Sequence, residues 1–266
     1  MWQNKFLLST VSDLKYNDIN DWPDNPENCM DTVLVAKEYG MGLEIAEFCN
    51  SALLDEPFKK TDEYIRKKIK DIKTVILHAP FNEIYPSAID KKVAEHARFR
   101  LGQAYEAAVS YGAKKMVVHS GFVPVIYYES WFEECSVKFW KEFSALHPGS
   151  MEICIENVME KSPDVLSSII KGLDDDRIKL TLDIGHANVV NGEPLQEWIK
   201  KCAPYISHYH IHNNKSEFDT HDALDDGDID MKEILMLTSE LTPDATYTIE
   251  CAKARQCAQW LKDNGF

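Results

Sequence analysis

The chain has 266 residues, enough for one large α/β domain, and its 44% hydrophobic content supplies a full core. Its formal net charge of −15 argues against an unassisted grip on a polyanion such as DNA, which needs a basic surface to displace counterions. No stretch approaches the ~18 apolar residues of a membrane span, and the N-terminal segment has no long apolar core, so a soluble, cytoplasmic protein without a membrane partner is expected.

In chain order, a first strand is predicted at residues 5–9 and a second, alternating one (GLEIAEF) at 42–48. Strand three, TVILH, stops on His78. An amphipathic helix follows over 88–111, with Ile89, Val93, Ala97, Leu101, Tyr105 and Ala108 at helical spacing. Strand four, KMVVH, stops on His119 and precedes a helix over 131–146. Strand five, ICIE, stops on Glu156; strand six, KLTLD, stops on Asp183; and a helix is expected over Leu195–Cys202. Strand seven, ISHYH, reaches His210, and a long polar loop over 213–230 follows it. Strand eight, TYTIE, stops on Glu250, and a last helix covers 252–261. Turn signals at Tyr39-Gly40, Tyr111-Gly112 and His147-Pro148-Gly149 close helices just before the next strand.

Consecutive strand-end residues from His78 onward lie 27 to 41 positions apart, the length of one strand plus one helix. The predicted fold is a single (β/α)₈ barrel over 1–266, in which strand ends converge on one rim. Seven scattered cysteines (29, 49, 135, 154, 202, 251, 257) with no C-x-x-C pattern read as reduced thiols rather than a disulfide framework.

A single histidine at a strand end is ordinarily a hydrogen-bonded rim residue. Carboxylates there are different, because burying one unpaired is costly. His78, His119, Glu156, Asp183, His210 and Glu250 together therefore predict a metal centre at the C-terminal rim. His186, in LDIGH, and the D-x-H pair Asp219 and His221 extend it to nine candidate ligands. With one bridging carboxylate, these suit up to three ions, Zn²⁺ with Mn²⁺ or Mg²⁺ as alternatives. His208 and His212 alternate with His210 and can share a face, but with His96 and His147 they lack a strand-end position. They are assigned to the pocket or the framework. His212, Lys215 and His186 are candidate substrate contacts, Lys215 as an anion contact. Asn157, Asn188, Asn213 and Asn214 serve either as turn and cap residues or as hydrogen-bond partners to ligands. Tyr85, Tyr127, Tyr128 and Trp131 are candidate pocket walls.

The motifs LHAP, VVHSG, CIEN, LDIGHA, HIHNNK, DTHDALDDGDID and TIEC make the chain resemble the xylose isomerase-like TIM barrel superfamily, which groups sugar isomerases and epimerases with endonuclease IV-type enzymes. The resemblance covers essentially the whole chain, and the trinuclear endonuclease IV pattern is matched at all nine positions. It implies one ion on His78, His119 and Glu156, a second on Glu156, Asp183, His210 and Glu250, and a third on His186, Asp219 and His221. Two features depart from the family. Asn213 stands where an aspartate is usual, and Asp225-Asp226-Gly227 stands where G-x-G is usual.

The resemblance and the ligand set imply metal-dependent hydrolysis of a phosphoester of a small, phosphorylated or sugar-like substrate, with Glu156 bridging ions and orienting the nucleophile. The alternative is a sugar or sugar-phosphate isomerase or epimerase, with one Mn²⁺- or Mg²⁺-type ion and Glu156 and Glu250 as the acid/base pair. Against the alternative, no arginine occurs between Arg177 and Arg255, where family epimerases typically carry one. Cleavage of DNA at abasic sites is disfavoured by the acidic balance and by the lack of a counterpart to the DNA-penetrating loops. A barrel that only binds a ligand is disfavoured because both glutamates are present.

Overall fold

The apolar runs form eight parallel strands: β1 (Phe6–Ser9), β2 (Gly42–Ile45), β3 (Val75–His78), β4 (Lys115–His119), β5 (Glu152–Glu156), β6 (Ile178–Asp183), β7 (Ile206–Ile211) and β8 (Thr246–Ile249). They pair in sequence order, and β8 returns to pair with β1 and close the barrel. The structure is a computed structural model that describes residues 5–13, 31–56, 58–190 and 192–266. Cys29, and residues 1–4 and 14–18 of the N-terminal segment, lie outside these.

Around the barrel run α1 (Asp31–Tyr39), α2 (Phe58–Ile69), α3 (Lys91–Ser110), α4 (Glu129–Leu146), α5 (Pro163–Lys171), α6 (Ile184–Val189), α7 (Leu195–Cys202), α8 (Met231–Leu241) and α9 (Ala254–Asp263). None is long and apolar enough to cross a membrane. The six described cysteines form no disulfide.

Because side chains alternate along a strand, each strand sends one set toward the helices and one into the barrel. The outward set joins the large core between strands and helices; Tyr209 of β7, for example, stacks on Tyr247 of β8 at 5.1 Å. The inward set is apolar only at one level, where Leu7, Ile76, Val117 and Cys154 form a separate small cluster. Two residues further along these strands, the inward positions become Ser9, His78, His119 and Glu156. Space at the lower level is tight: a Cβ on Gly42 would lie 2.9 Å from the Leu7 side chain and 2.7 Å from the Thr74 carbonyl oxygen.

Several predicted boundaries move. β2 ends at Ile45 rather than residue 48, because the chain turns at the rim into a 3₁₀ segment, Glu47–Cys49. The Thr10 hydroxyl organises that turn, accepting from the Ala46 N–H and donating to Glu47. α3 begins at Lys91 because Asp90 caps it, accepting from the Lys92 N–H. Ile89 precedes the helix and is 69% exposed, and Val93 lies near its exposed side, so the buried stripe runs from Ala97 onward. The last helix starts at Ala254 and ends at Asp263, two residues later than expected at each end. The predicted turns at Gly40 and Gly112 hold: both have φ of 70°, which favours glycine.

Candidate metal centre

Glu156, fully buried at the end of β5, is the hub of the rim. Its Oε2 lies 3.3 Å from His78 Nε2 and 3.6 Å from His119 Nε2. Its Oε1 lies 3.2 Å from His210 Nδ1 and 3.4 Å from His186 Nδ1. On the other side of His210 Nδ1 stand Glu250 Oε2 at 3.5 Å and Asp183 Oδ2 at 3.8 Å. Further out, Asp219 Oδ2 lies 3.2 Å from His186 Nε2 and 3.1 Å from His221 Nε2. All nine residues singled out in the sequence thus converge on one rim. Candidate ligand atoms fall within 4.8 Å of one another in four groups: three that share members, His78, His119 and Glu156, then Glu156, Asp183 and His210, then Glu44, His78, His210 and Glu250; and a separate one, His186, His212, Asp219 and His221.

Local sequence explains how the later residues reach the rim. Asp183 ends β6 and caps α6, accepting from the His186 N–H at 2.8 Å, so His186 stands one helical turn beyond it. The Asn157 amide clamps the same spot, bonding both the N–H and the carbonyl of Asp183. The loop after β7 folds back as a small hairpin through the Asn213–Asp222 bridge, which carries Asp219 and His221 to the ring. Asn213 also ties the loop base to Leu224 and Ile229. A Cβ on Gly227 would lie 2.2 Å from Asn213 Oδ1, so Asn213 and Gly227 are fitted to one another in this turn. His221 itself has φ of 48°, an uncommon conformation for a non-glycine residue and one that recurs at functional sites.

Three histidines donate from Nδ1 to a backbone carbonyl: His78 to Ala79 at 2.8 Å, His186 to Asn157 at 2.9 Å and His221 to Glu250 at 2.8 Å. A carbonyl only accepts, so each Nδ1 carries a proton and each Nε2 is turned to a carboxylate, the orientation of a metal ligand once an ion replaces the proton on that nitrogen. The buried Asp183 Oδ2 has no hydrogen-bond partner among the described residues. This donor set fits divalent cations. His119 is a ligand-type imidazole as well: burial holds its pKa down to about 3, against the pull of Glu156. Burial would raise Glu156, yet His210 and His119 hold it well below the usual carboxylate range.

Two inward residues of the barrel complete the site from below. Glu44 of β2 is fully buried and accepts from His210 Nε2 at 3.1 and 3.2 Å, so it steers the opposite nitrogen of His210 toward Glu156. His208 lies one layer lower, bonded to Thr246 at 2.7 Å and Thr248 at 3.0 Å, with Nε2 3.4 Å from Glu44. Burial opposes ionisation of Glu44, but His210 and His208 outweigh it and keep the group charged. Glu44→Gln keeps the volume and loses that charge, so divalent-ion affinity is expected to fall about 10–100-fold with the fold retained. Competition against a chelator measures the affinity; an unchanged affinity would remove Glu44 from the site.

The ring opens into a cavity of about 460 Å³ lined by His78, His119, His186, Asp219, His221 and Glu250 and walled by Val11, Phe81, Val158, Met159, Val189 and Val190. Phe81 stacks on His119 with ring centres 4.4 Å apart. A larger groove of about 830 Å³ at the opposite end, between Tyr39, Ile72 and Phe266, contains none of the ring residues. Residues 33–264 match the family model for the xylose isomerase-like TIM barrel. The chain belongs to that family. It is 28% identical over 200 residues to the uncharacterized protein MJ1311 of Methanocaldococcus jannaschii, covering 70% of this chain and 67% of that protein. Among solved structures, it superposes on a D-tagatose 3-epimerase-like protein with a TM-score of 0.76 and 22% identity, covering 98% of this chain and 96% of the other. It superposes on an IOLI protein with a binding zinc atom at 0.73 and 17% identity, with the same coverage.

In this xylose isomerase-like barrel, some expected contacts are not brought together. Lys215 is 70% exposed, its ammonium 3.9 Å from Asp226, and it lines no part of the cavity; its side chain follows the acidic loop outward. Tyr85, Tyr127, Tyr128 and Trp131 do not line it either. Tyr127 packs instead on Trp131, Phe122 and Phe132, and Tyr128 is 84% exposed at the start of α4. His147 packs on Tyr105 and Phe143 beyond α4, away from the rim, and His96 is exposed on α3.

The ring also makes the ion-free protein sensitive to pH. Burial lowers the pKa of His221, but Asp219 and Glu250 more than offset this and lift it from 6.5 to about 9. A histidine raised on folding contributes stability that is complete below its unfolded value and lost as pH rises through the folded one. The thermal midpoint of the ion-free protein is therefore expected to fall between pH 6.5 and about 9. Saturating divalent ion should flatten that slope, because bound imidazoles stay deprotonated throughout. A flat midpoint in the ion-free protein would show that the Asp219–His221 pair does not form without ions.

Proposed function

We propose that this chain is a divalent-metal-dependent hydrolase acting on a phosphoester of a small, sugar-like substrate, with Zn²⁺ the preferred ion. One observation carries the reading: the two oxygens of Glu156 face two separate sets of candidate ligands, Oε2 toward His78 and His119 and Oε1 toward His210, beside which stand Asp183 and Glu250. That is the arrangement of a carboxylate bridging two ions, and the His186, Asp219 and His221 group beside it fits a third. When bound, such ions supply an activated water nucleophile near neutral pH and neutralise phosphoryl charge.

The chain's own residues hold the site ready. His78, His186 and His221 are held in one tautomer by backbone carbonyls, so the ring is set before substrate enters. Apolar side chains wall the cavity into which the ring opens. No lysine or arginine among the described residues lines the cavity, and its histidines are the residues that would hold the ions. This supports binding of a phosphoryl group through ions rather than through an arginine clamp. The zinc atom in the IOLI structure supports the same class of ion.

A second reading is sugar isomerisation or epimerisation, favoured by Glu156 and Glu250, which approach His210 Nδ1 at 3.2 and 3.5 Å and can serve as an acid/base pair. The likeness to a D-tagatose 3-epimerase-like protein supports it. The test is an assay of Zn²⁺- and Mn²⁺-loaded protein against sugar phosphates and phosphodiesters, and against ketoses in deuterated water. Phosphoester cleavage supports hydrolysis. Deuterium entering beside the carbonyl without phosphoester cleavage moves the assignment to the second reading.

A further inference from the structure

We infer that His212 is a metal ligand, making the outer site a cage of three imidazoles and one carboxylate: His186, His212, Asp219 and His221. The inference rests on the metal-centre reading above and goes beyond it, since neither the strand-end pattern nor the nine-position resemblance includes His212 among the ligands.

His212 is fully buried just beyond the end of β7. Neither of its ring nitrogens has a hydrogen-bond partner among the described residues. An imidazole whose nitrogens make no well-directed hydrogen bond is costly to bury, and few native side chains are left this way. Its Nε2 lies 3.2 Å from Asp183 Oδ1, which is already engaged by the His186 N–H, and 3.7 Å from Asp219 Oδ1. The His221 ring stacks on it at 3.8 Å, and the His186 ring centre is 6.0 Å away.

The chain also makes room for it. A Cβ on Gly185 would lie 1.9 Å from the His212 ring, so any side chain at position 185 would displace the imidazole. The ring is therefore seated against bare backbone, beside the other three ligands. Three imidazoles and one carboxylate select a borderline transition ion such as Zn²⁺ or Co²⁺ over Mg²⁺. Four protein ligands also complete a tetrahedral shell, which is the pattern of a tightly held ion. The ion nearest the loop would be the one retained longest, with the inner groups, one of only three ligands and one rich in carboxylates, exchanging more readily.

The experiment loads the full chain with Zn²⁺ or Co²⁺, challenges it with excess Mg²⁺ and a chelator, and counts ions per chain by elemental analysis. Wild type is expected to keep one ion that Mg²⁺ does not displace. His212→Asn and, independently, Gly185→Ala are expected to lose that ion, with a fall of roughly 100-fold or more in its affinity. A crystal structure of the Zn²⁺-loaded wild type guards against variants that fail to fold; it is expected to place His212 Nε2 about 2.0–2.1 Å from an ion. Wild-type retention by His212→Asn, or a loaded structure with His212 outside bonding distance, overturns the inference and leaves the multi-ion function standing. A wild type that never holds more than one ion, with that ion out of bonding distance of His212 in the loaded structure, overturns both.

Discussion

Glu156→Gln is expected to lower turnover by on the order of 10³-fold or more while the barrel still forms. Glutamine has the same shape, so the packing at the end of β5 is kept. What changes is charge and donor pattern. Each oxygen of Glu156 faces two imidazoles, and an amide nitrogen in place of one oxygen carries no charge and no free lone pair with which to hold an ion. Neither ion flanking the carboxylate would then be bridged. The ion-free variant should also be less stable at neutral pH. A carboxylate whose pKa falls on folding contributes stability that is present above its unfolded value, 4.5, and lost only as pH falls through the folded one. At pH 7 that contribution is complete in the wild type and absent in the variant. Circular dichroism and thermal melts of the ion-free pair, beside turnover of the loaded pair, give both results. Wild-type turnover by Glu156→Gln would end the central role of this residue.

Loading with divalent ions is expected to bring about three ions per chain and to raise the thermal midpoint by at least about 5 °C. An ion present at a hundred times its Kd adds about 2.7 kcal/mol, and each kcal/mol moves the midpoint by about 2–4 °C in a chain of this size. Chelation should reverse the shift and abolish activity. A single ion per chain would reduce His78, His119, Asp219 and His221 to pocket residues and favour isomerisation or epimerisation. No bound ion and no shift would leave the convergence of these side chains without a metal to explain it.

The strand-end residues were legible because each closes an apolar run, where a polar side chain is conspicuous and a buried carboxylate costs too much to be incidental. The spacing between them then required the parallel, rim-forming arrangement. Glu44 was not legible, because GLEIAEF alternates and an alternating strand reads as half exposed, with its glutamate turned to water. In a closed barrel the second face of a strand is the interior, and Glu44 points there. Its parity with Gly42 and with the inward positions of β7 was the available signal. Lys215 fails for the complementary reason: closeness in sequence to the ring says nothing about which way a loop side chain leaves the backbone.

The barrel, its strand order and the nine residues at one rim could all be read along the chain, because periodicity and local cost are properties of sequence neighbours. Other relations exist only once the barrel closes. Glu44 and His208 support His210 from below, the Asn213 hairpin returns Asp219 and His221 to the ring, and His212 sits against Gly185 beside Asp183 and Asp219. These join residues up to 166 positions apart, and no local pattern encodes a distance that barrel closure sets.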